Sequence, residues 1–305
     1  MLRTQSIHSI FLHIVYNIFQ KIPDPRVFSK TPRIPLIDHL MSALAVFGLK
    51  HPSLLSYDHQ RRHPAAVSNL KSLYRVGTPP SDTHLRSSLD QLPPECIRPA
   101  FKKVFAKIQR DKQLEEFVFM EDHYLLAIDG TGEFSSSKVC CEHCCKKNSG
   151  KAGEIYYHQM LGGCIVHPDK KSVIPLCPEA ILNRDGQTKN DCERNAAKRF
   201  LTHFRREHPH LKVIVIEDGL SSNAPHIKLL EEHRLKYIIV AKPTDHEFLF
   251  NILHNSPEEQ YTEVRENGIL HQFSFLNNVA LNKGHPDLYS INFKSWLFCA
   301  PKVRG

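Results

Sequence analysis

Two stretches of one design constrain this chain more than anything else in it. Leu125-Leu126-Ala127-Ile128 is an unbroken apolar run that ends in Asp129-Gly130-Thr131-Gly132, and Val213-Ile214-Val215-Ile216 runs the same way into Glu217-Asp218-Gly219. Short apolar runs of this kind read as strands buried on both faces of a sheet. Each run stops at a carboxylate, which places an acid where a buried strand meets solvent. If the two strands are neighbours, Asp129 and Asp218 lie one strand spacing apart, about 5 Å. Two carboxylates that close repel each other, and a divalent cation relieves the repulsion. The plain alternative is that Asp-Gly marks a turn after a strand. The repetition of the design is what favours a site.

The elements around these runs fall into an order. Residues 1–118 read as helical, with helices expected over 7–19, from Leu36 to about Phe47, near 53–57 and 67–74, after Ser81 or Asp82, and from Pro99 onward. Pro23, Pro25, Pro32 and Pro35 separate the first helix from the second, Pro79-Pro80 makes a further break, and Ser81 or Asp82 supplies an N-cap. After the first acid-bearing strand, residues 156–166 and 172–176 read as two further strands on either side of a His167-Pro168-Asp169-Lys170 turn. Asn190 and Glu193 have the spacing of a capping box, and Ala196, Ala197, Phe200, Leu201 and Phe204 form the buried stripe of a long helix. The second acid-bearing strand follows, then a helix over about 224–234 and a fifth strand over 237–241. Three meandering strands, a helix, a strand, a helix and a strand make an α/β chain with the order of an RNase H-like mixed sheet, flanked by helices. In that order the first and fourth strands are adjacent and parallel, so Asp129 stands beside Asp218. The expected division is a helical region 1–118, an α/β core 119–246, a β-rich insertion 247–294 after the fifth strand, and an atypical tail 295–305. Within the insertion, 261–266 and 269–276 form a hairpin through Asn267-Gly268, and Tyr289, Ile291 and Phe293 alternate as a strand.

Charge and cysteine content narrow the setting. The chain has 305 residues with 40 Lys and Arg against 32 acids, a net charge of +8 that favours a polyanionic partner. Lys102, Lys103, Lys107 and Arg110 surround an apolar helical stripe and are the candidate phosphate contacts, with a solvated helix face as the plain alternative. The apolar segment 7–19 follows helical spacing, is interrupted by His8, His13 and Asn17, and is too short to span a bilayer. An odd count of nine cysteines with four inside six positions points to a reducing cytoplasm and not to a disulfide framework. Within Cys140-Cys141-Glu142-His143-Cys144-Cys145, Cys141 and Cys144 have the spacing that lets two thiolates reach one zinc ion. Cys140, Cys145, His143 or His158 would have to complete such a site. Reduced thiols in an exposed loop are the alternative, and no thioredoxin-like helix follows to support a redox pair.

Asp129-Gly130-Thr131, the Tyr156-Tyr157-His158-Gln159-Met160-Leu161 strand, Lys189-Asn190-Asp191-Cys192-Glu193 and Glu217-Asp218-Gly219-Leu220 resemble the DDE transposases of bacterial insertion sequences, above all the ISNCY-like group. The resemblance runs from about Leu36 to Phe293. It implies an RNase H-like catalytic core with a helical DNA-binding region before it. It also implies two magnesium or manganese ions held by three carboxylates, of which Asp129 matches the first and Asp218 the second. Its partners would be double-stranded DNA at the element's terminal inverted repeats and at the target. A homodimer would pair the ends, in a bacterial cytoplasm at the nucleoid and away from membranes. The family's third acid, a Glu on a helix after the insertion, has no match: the last acid is Asp287, and the remaining 305 − 287 = 18 residues carry none. A truncated or frameshifted copy would end this way. The expectation is then a chain that binds DNA without transposing, with an apolar strip at Leu126, Ile128, Val215 and Ile239 left uncovered. Glu193 offers another third ligand, because ribonuclease H enzymes take one from the start of the helix before the fourth strand. It otherwise only completes the capping box. The readings left open are a transposase, an RNase H-like nuclease using Asp129, Glu193 and Asp218, and a DNA-binding remnant without catalysis.

Overall fold

The computed structural model describes residues 7–27, 32–148, 153–183, 193–256, 260–266, 269–277 and 279–289. The chain divides into two compact units, Met1–Leu114 and Glu115–Gly305.

The first unit is helical, and its breaks fall where the prolines and caps put them. Its helices are α1 (Ile7–Phe19), α2 (Leu36–Gly48), α3 (Leu54–Gln60), α4 (Pro64–Tyr74), α5 (Asp82–Leu89) and α6 (Arg98–Arg110). Ser53 Oγ accepts from the Ser56 amide and Ser81 Oγ from the His84 amide, so both hydroxyls satisfy an otherwise unpaired N–H of a first turn. Leu40, Met41, Ala45, Tyr57, Leu70, Tyr74 and Leu85 form the core. Buried Asp38 accepts from the amides of Gly77 and Thr78 at 3.1 and 2.7 Å, which ties the connection after α4 to α2.

The second unit is built on a mixed sheet. Its elements in chain order are β1 (Tyr124–Ser136), β2 (Cys145–Asn148), β3 (Glu154–Val166), β4 (Ile174–Pro175), β5 (Glu179–Ile181), α7 (Glu193–Glu207), β6 (Val213–Glu217), α8 (Ala224–Glu232), β7 (Lys236–Ile239), α9 (Glu247–Asn255), β8 (Gln260–Glu266) and β9 (Ile269–Phe275). The sheet runs β2-β3-β1-β6-β7, with β4 and β5 also on β3, while β8 and β9 pair separately. β1 is antiparallel to β3 and parallel to β6, and β6 is parallel to β7.

Several expectations need correcting. β1 does not end at Asp129-Gly130: it continues to Ser136, because the antiparallel ladder with β3 goes on from Asp129↔Gly162 to Ser136↔Tyr156. What stops near Asp129 is the parallel pairing with β6, whose last register is Ala127↔Ile216. The Cys-rich stretch is not wholly loop, since Cys145 opens β2 on β3. The third expected strand, 172–176, shrinks to the two-residue β4, and an unexpected short strand, β5, follows it and pairs with a different part of β3. Beyond the fifth strand the β-rich region begins with a helix, α9, and Tyr289 ends a 3-10 turn (Pro286–Tyr289) and not a strand. Asn190, Asn267-Gly268, Ile291, Phe293 and the tail 295–305 lie outside the described residues.

The uncovered strip is also displaced. Leu126, Ile128 and Val215 are buried, and Ile239 packs with Ala224, Ile227 and Leu288. Strand alternation puts all four on the face that α7 and α8 cover. Ile238, 37% exposed, and Val240, 55% exposed, are among the exposed apolar side chains, and alternation sends both to the opposite face.

α7 is seated on that covered face through a glycine. A Cβ on Gly163 would come within 2.8 Å of Phe200 Cε2 and closer still to Cζ, so the ring fills the space a side chain would take. Polar clasps add to this seat. His203 Nδ1 lies 2.6 Å from Glu179 Oε1 on β5, and Arg199 donates to the Ala180 carbonyl at 2.9 Å. Gly163→Ala is expected to cost about 1–3 kcal/mol by overpacking a buried contact, read as a lower urea midpoint with an unchanged denaturant slope.

Candidate functional site

The two aspartates arrive at one end of the sheet by register. Asp129 and Asp218 each lie two residues beyond the Ala127↔Ile216 pair of parallel strands, so alternation puts both on the same side. Both carboxylates are exposed. Asp129 Oδ1 accepts from the Gly130 amide at 2.8 Å and Asp218 Oδ1 from the Leu220 amide at 2.9 Å. One oxygen of each is thereby fixed.

Glu193, the first residue of α7, comes to the same place from about 60 residues along the chain. Its half-buried carboxyl lies against Gly130, where a Cβ would collide with it. Its pKa is held above the usual glutamate value, first by burial and then by the negative charges of Asp129 and Asp218. The charges at the ends of two strands therefore reach the carboxyl at the start of α7. The ligand atoms of the three acids are more widely set than those of a one-ion site: among the described residues, the set with all ligand atoms within 4.8 Å is Cys141, Cys144 and His158. A set of oxygen donors alone is suited to magnesium or manganese.

Glu217, next to Asp218, has a different role. Alternation turns it to the covered face, where it is buried and meets buried His226 Nε2 at 2.5 Å. This pair binds the end of β6 to α8. Neither Glu217 nor Lys242 stood out in the sequence. The Lys242 stem lies on the Gly219 turn, with Cε 3.0 Å from where a Cβ there would sit, one residue along the chain from Asp218. The available signal for Glu217 was parity, since adjacent strand residues face opposite ways.

The cysteine cluster resolves into one set. Cys141 Sγ and Cys144 Sγ lie 3.7 Å apart, and each approaches His158 Nε2, at 3.2 and 3.1 Å. These three residues could hold a metal ion. Cys145 is turned away, with its sulfur on the Ile181 carbonyl at 3.6 Å.

The basic helix face is only partly free for phosphate. Lys102, Lys103 and Arg110 are exposed, but Lys107 is paired with Asp111, and Arg110 Nε donates to the Ala106 carbonyl at 3.2 Å. No described helix is long and apolar enough to cross a membrane.

The second unit thus belongs to the mixed α/β proteins, with acids gathered at the end of two parallel strands. No family model and no curated protein matches the chain. Among solved structures it is similar to a piggyBac transposase in a synaptic complex with hairpin DNA, at 14% identity and a TM-score of 0.36, over 88% of this chain and 56% of that one. The chain therefore spans little more than half the length of that protein, and a likeness at this level carries no conclusion about function.

Proposed function

We propose that this chain cuts DNA strands by divalent-metal-dependent phosphodiester cleavage of the transposase kind, with Asp129, Glu193 and Asp218 as its three carboxylates. The observation that carries the reading is the convergence of Glu193 on the two aspartates. The strand order β3-β1-β6-β7, with β1 parallel to β6 and α7 immediately before β6, supports an RNase H-like core. Magnesium or manganese held there would activate the attacking oxygen and stabilise the leaving one. The chain's own part is position and charge. Backbone amides hold Asp129 and Asp218, the start of α7 presents Glu193, and Lys242 offers a cation for a DNA phosphate beside Asp218. With Glu193 in this role, a third acid is supplied from within the core. Exposed Lys102, Lys103 and Arg110 are proposed as backbone contacts for duplex DNA, and a homodimer on paired ends as the assembly.

The test is nicking of supercoiled plasmid by the full chain with magnesium or manganese. Cleavage abolished by EDTA and by Asp218→Asn is the expected outcome. Metal-independent nicking, or nicking that Asp218→Asn leaves intact, would overturn the reading. The position of Glu193 equally favours a second one, an RNase H-like nuclease on the same acids. Preference for RNA–DNA hybrid over DNA duplex would select it.

A further inference from the structure

We propose that Cys141, Cys144 and His158 form a structural zinc centre that staples the 137–144 connection to β3. The geometry fits a tetrahedral ion. Two thiolates at about 2.3 Å from zinc stand about 3.8 Å apart, and a thiolate and an imidazole nitrogen about 3.6 Å apart. The sulfurs here are 3.7 Å apart and the nitrogen is 3.1–3.2 Å from each, so the imidazole withdraws by less than about half an ångström to admit the ion. A disulfide is excluded by the same spacing, since bonded sulfurs lie about 2.05 Å apart. Two thiols and an imidazole select zinc over the oxygen-seeking ions of the acid site.

The sequence around the centre explains why a metal is needed. Residues 137–143 are all exposed, Val139 among them, and Cys144 is 2% exposed. A connection with so little apolar surface to bury gains little from packing, so a ligand bond must supply its order. His158 is the fixed point, carried on β3 opposite Phe134 of β1, whose ring meets the imidazole edge-on at 5.8 Å. The Cys141 amide donates to Cys144 Sγ at 3.2 Å, which fixes the place of that sulfur in the turn. Binding is balanced by proton release: both thiols give up a proton, and zinc takes two sulfur lone pairs and the imidazole Nε2 lone pair. Cys140 of the same turn is the thiol offered for the fourth position.

Zinc content of the full chain, purified under reducing conditions, tests this without recourse to DNA cleavage. About one equivalent is expected, with cobalt replacement giving thiolate-to-cobalt charge-transfer bands. Cys144→Ser and His158→Ala should each lose the ion, whereas Cys96→Ser and Cys177→Ser should keep it. His158→Cys, which restores a ligand, should keep zinc and change the cobalt spectrum, and it guards against mere misfolding of the alanine variant. Chelation should speed tryptic cleavage after Lys138. Failure to take up zinc or cobalt after reduction and reconstitution, or retention of the ion by both Cys144→Ser and His158→Ala, would overturn the proposal. Two thiols hydrogen-bonded to an imidazole would then account for the cluster.

Discussion

A Glu193→Gln chain should lose DNA nicking by a factor on the order of 10³ and yet melt at a higher temperature than the parent in EDTA. Both effects come from one charge. Glutamine keeps the length and hydrogen-bonding capacity of the side chain but cannot supply an anionic oxygen to a divalent ion. Without metal, the parent carries a cost that the variant lacks. The Glu193 carboxyl is raised above its ordinary value of 4.5 by burial and by Asp129 and Asp218, so the folded protein holds its proton more tightly than the unfolded chain does. Stability then falls as pH rises from about 4.5 through the raised value. The variant's advantage should therefore appear above that window and vanish below it. Added magnesium should raise the melting temperature of the parent more than that of the variant, because an ion that binds only the folded state stabilises it by mass action. Nicking and melting curves at several pH values read both effects. A variant that nicks as the parent does would return Glu193 to a helix-start role.

Phe200→Ala is expected to be the most damaging single change in the α/β unit, at about 3–5 kcal/mol. The ring is 2% exposed, fills the space over Gly163 and lies parallel to Phe204 at 6.4 Å between centroids. Its loss leaves a cavity under α7 that β3, paired on both edges, cannot close. Against a typical total of 5–15 kcal/mol, that is a large share of the whole. α7 also carries Glu193, so the loosened helix should weaken divalent binding as well. Urea unfolding of the two single variants and the double variant with Gly163→Ala gives a sharp check. The methyl group that clashes with Phe200 has room once the ring is gone, so the two costs should fall well short of adding. Additive costs would mean that Gly163 and Phe200 do not share that space.

Local order along the chain was legible in the residues themselves. Proline and serine placement gave the helices of the first unit, and the apolar runs gave β1 and β6 with their acids. The 196–204 stripe gave α7. These follow from periodicities of 3.6 and 2 that act between near neighbours. The extent of β1 was not legible, because Gly130-Thr131-Gly132 reads as a turn until a long antiparallel partner supplies its hydrogen bonds. Nor was α9, set between short strands.

The site divides along the same line. Asp129 and Asp218 could be paired from sequence, since a parallel register needs only two matching runs. Glu193 could not be decided, because a capping box and a metal ligand use the same residue at the same helix start. What settles where its carboxyl lies is Gly130, a residue without a Cβ on a strand about 60 positions earlier. His158 was one of four candidates for the thiol pair until β3 carried it to Cys141 and Cys144 while Cys145 turned inward. Glu217 and Asp218 differ by one position and by everything in their surroundings: one is buried on His226, and the other is exposed and accepts from the Leu220 amide. Residue type and spacing thus determined which elements form and which groups could do chemistry. Contacts between residues far apart in the chain, made only when α7 and β3 close on the sheet, decided which of those groups meet.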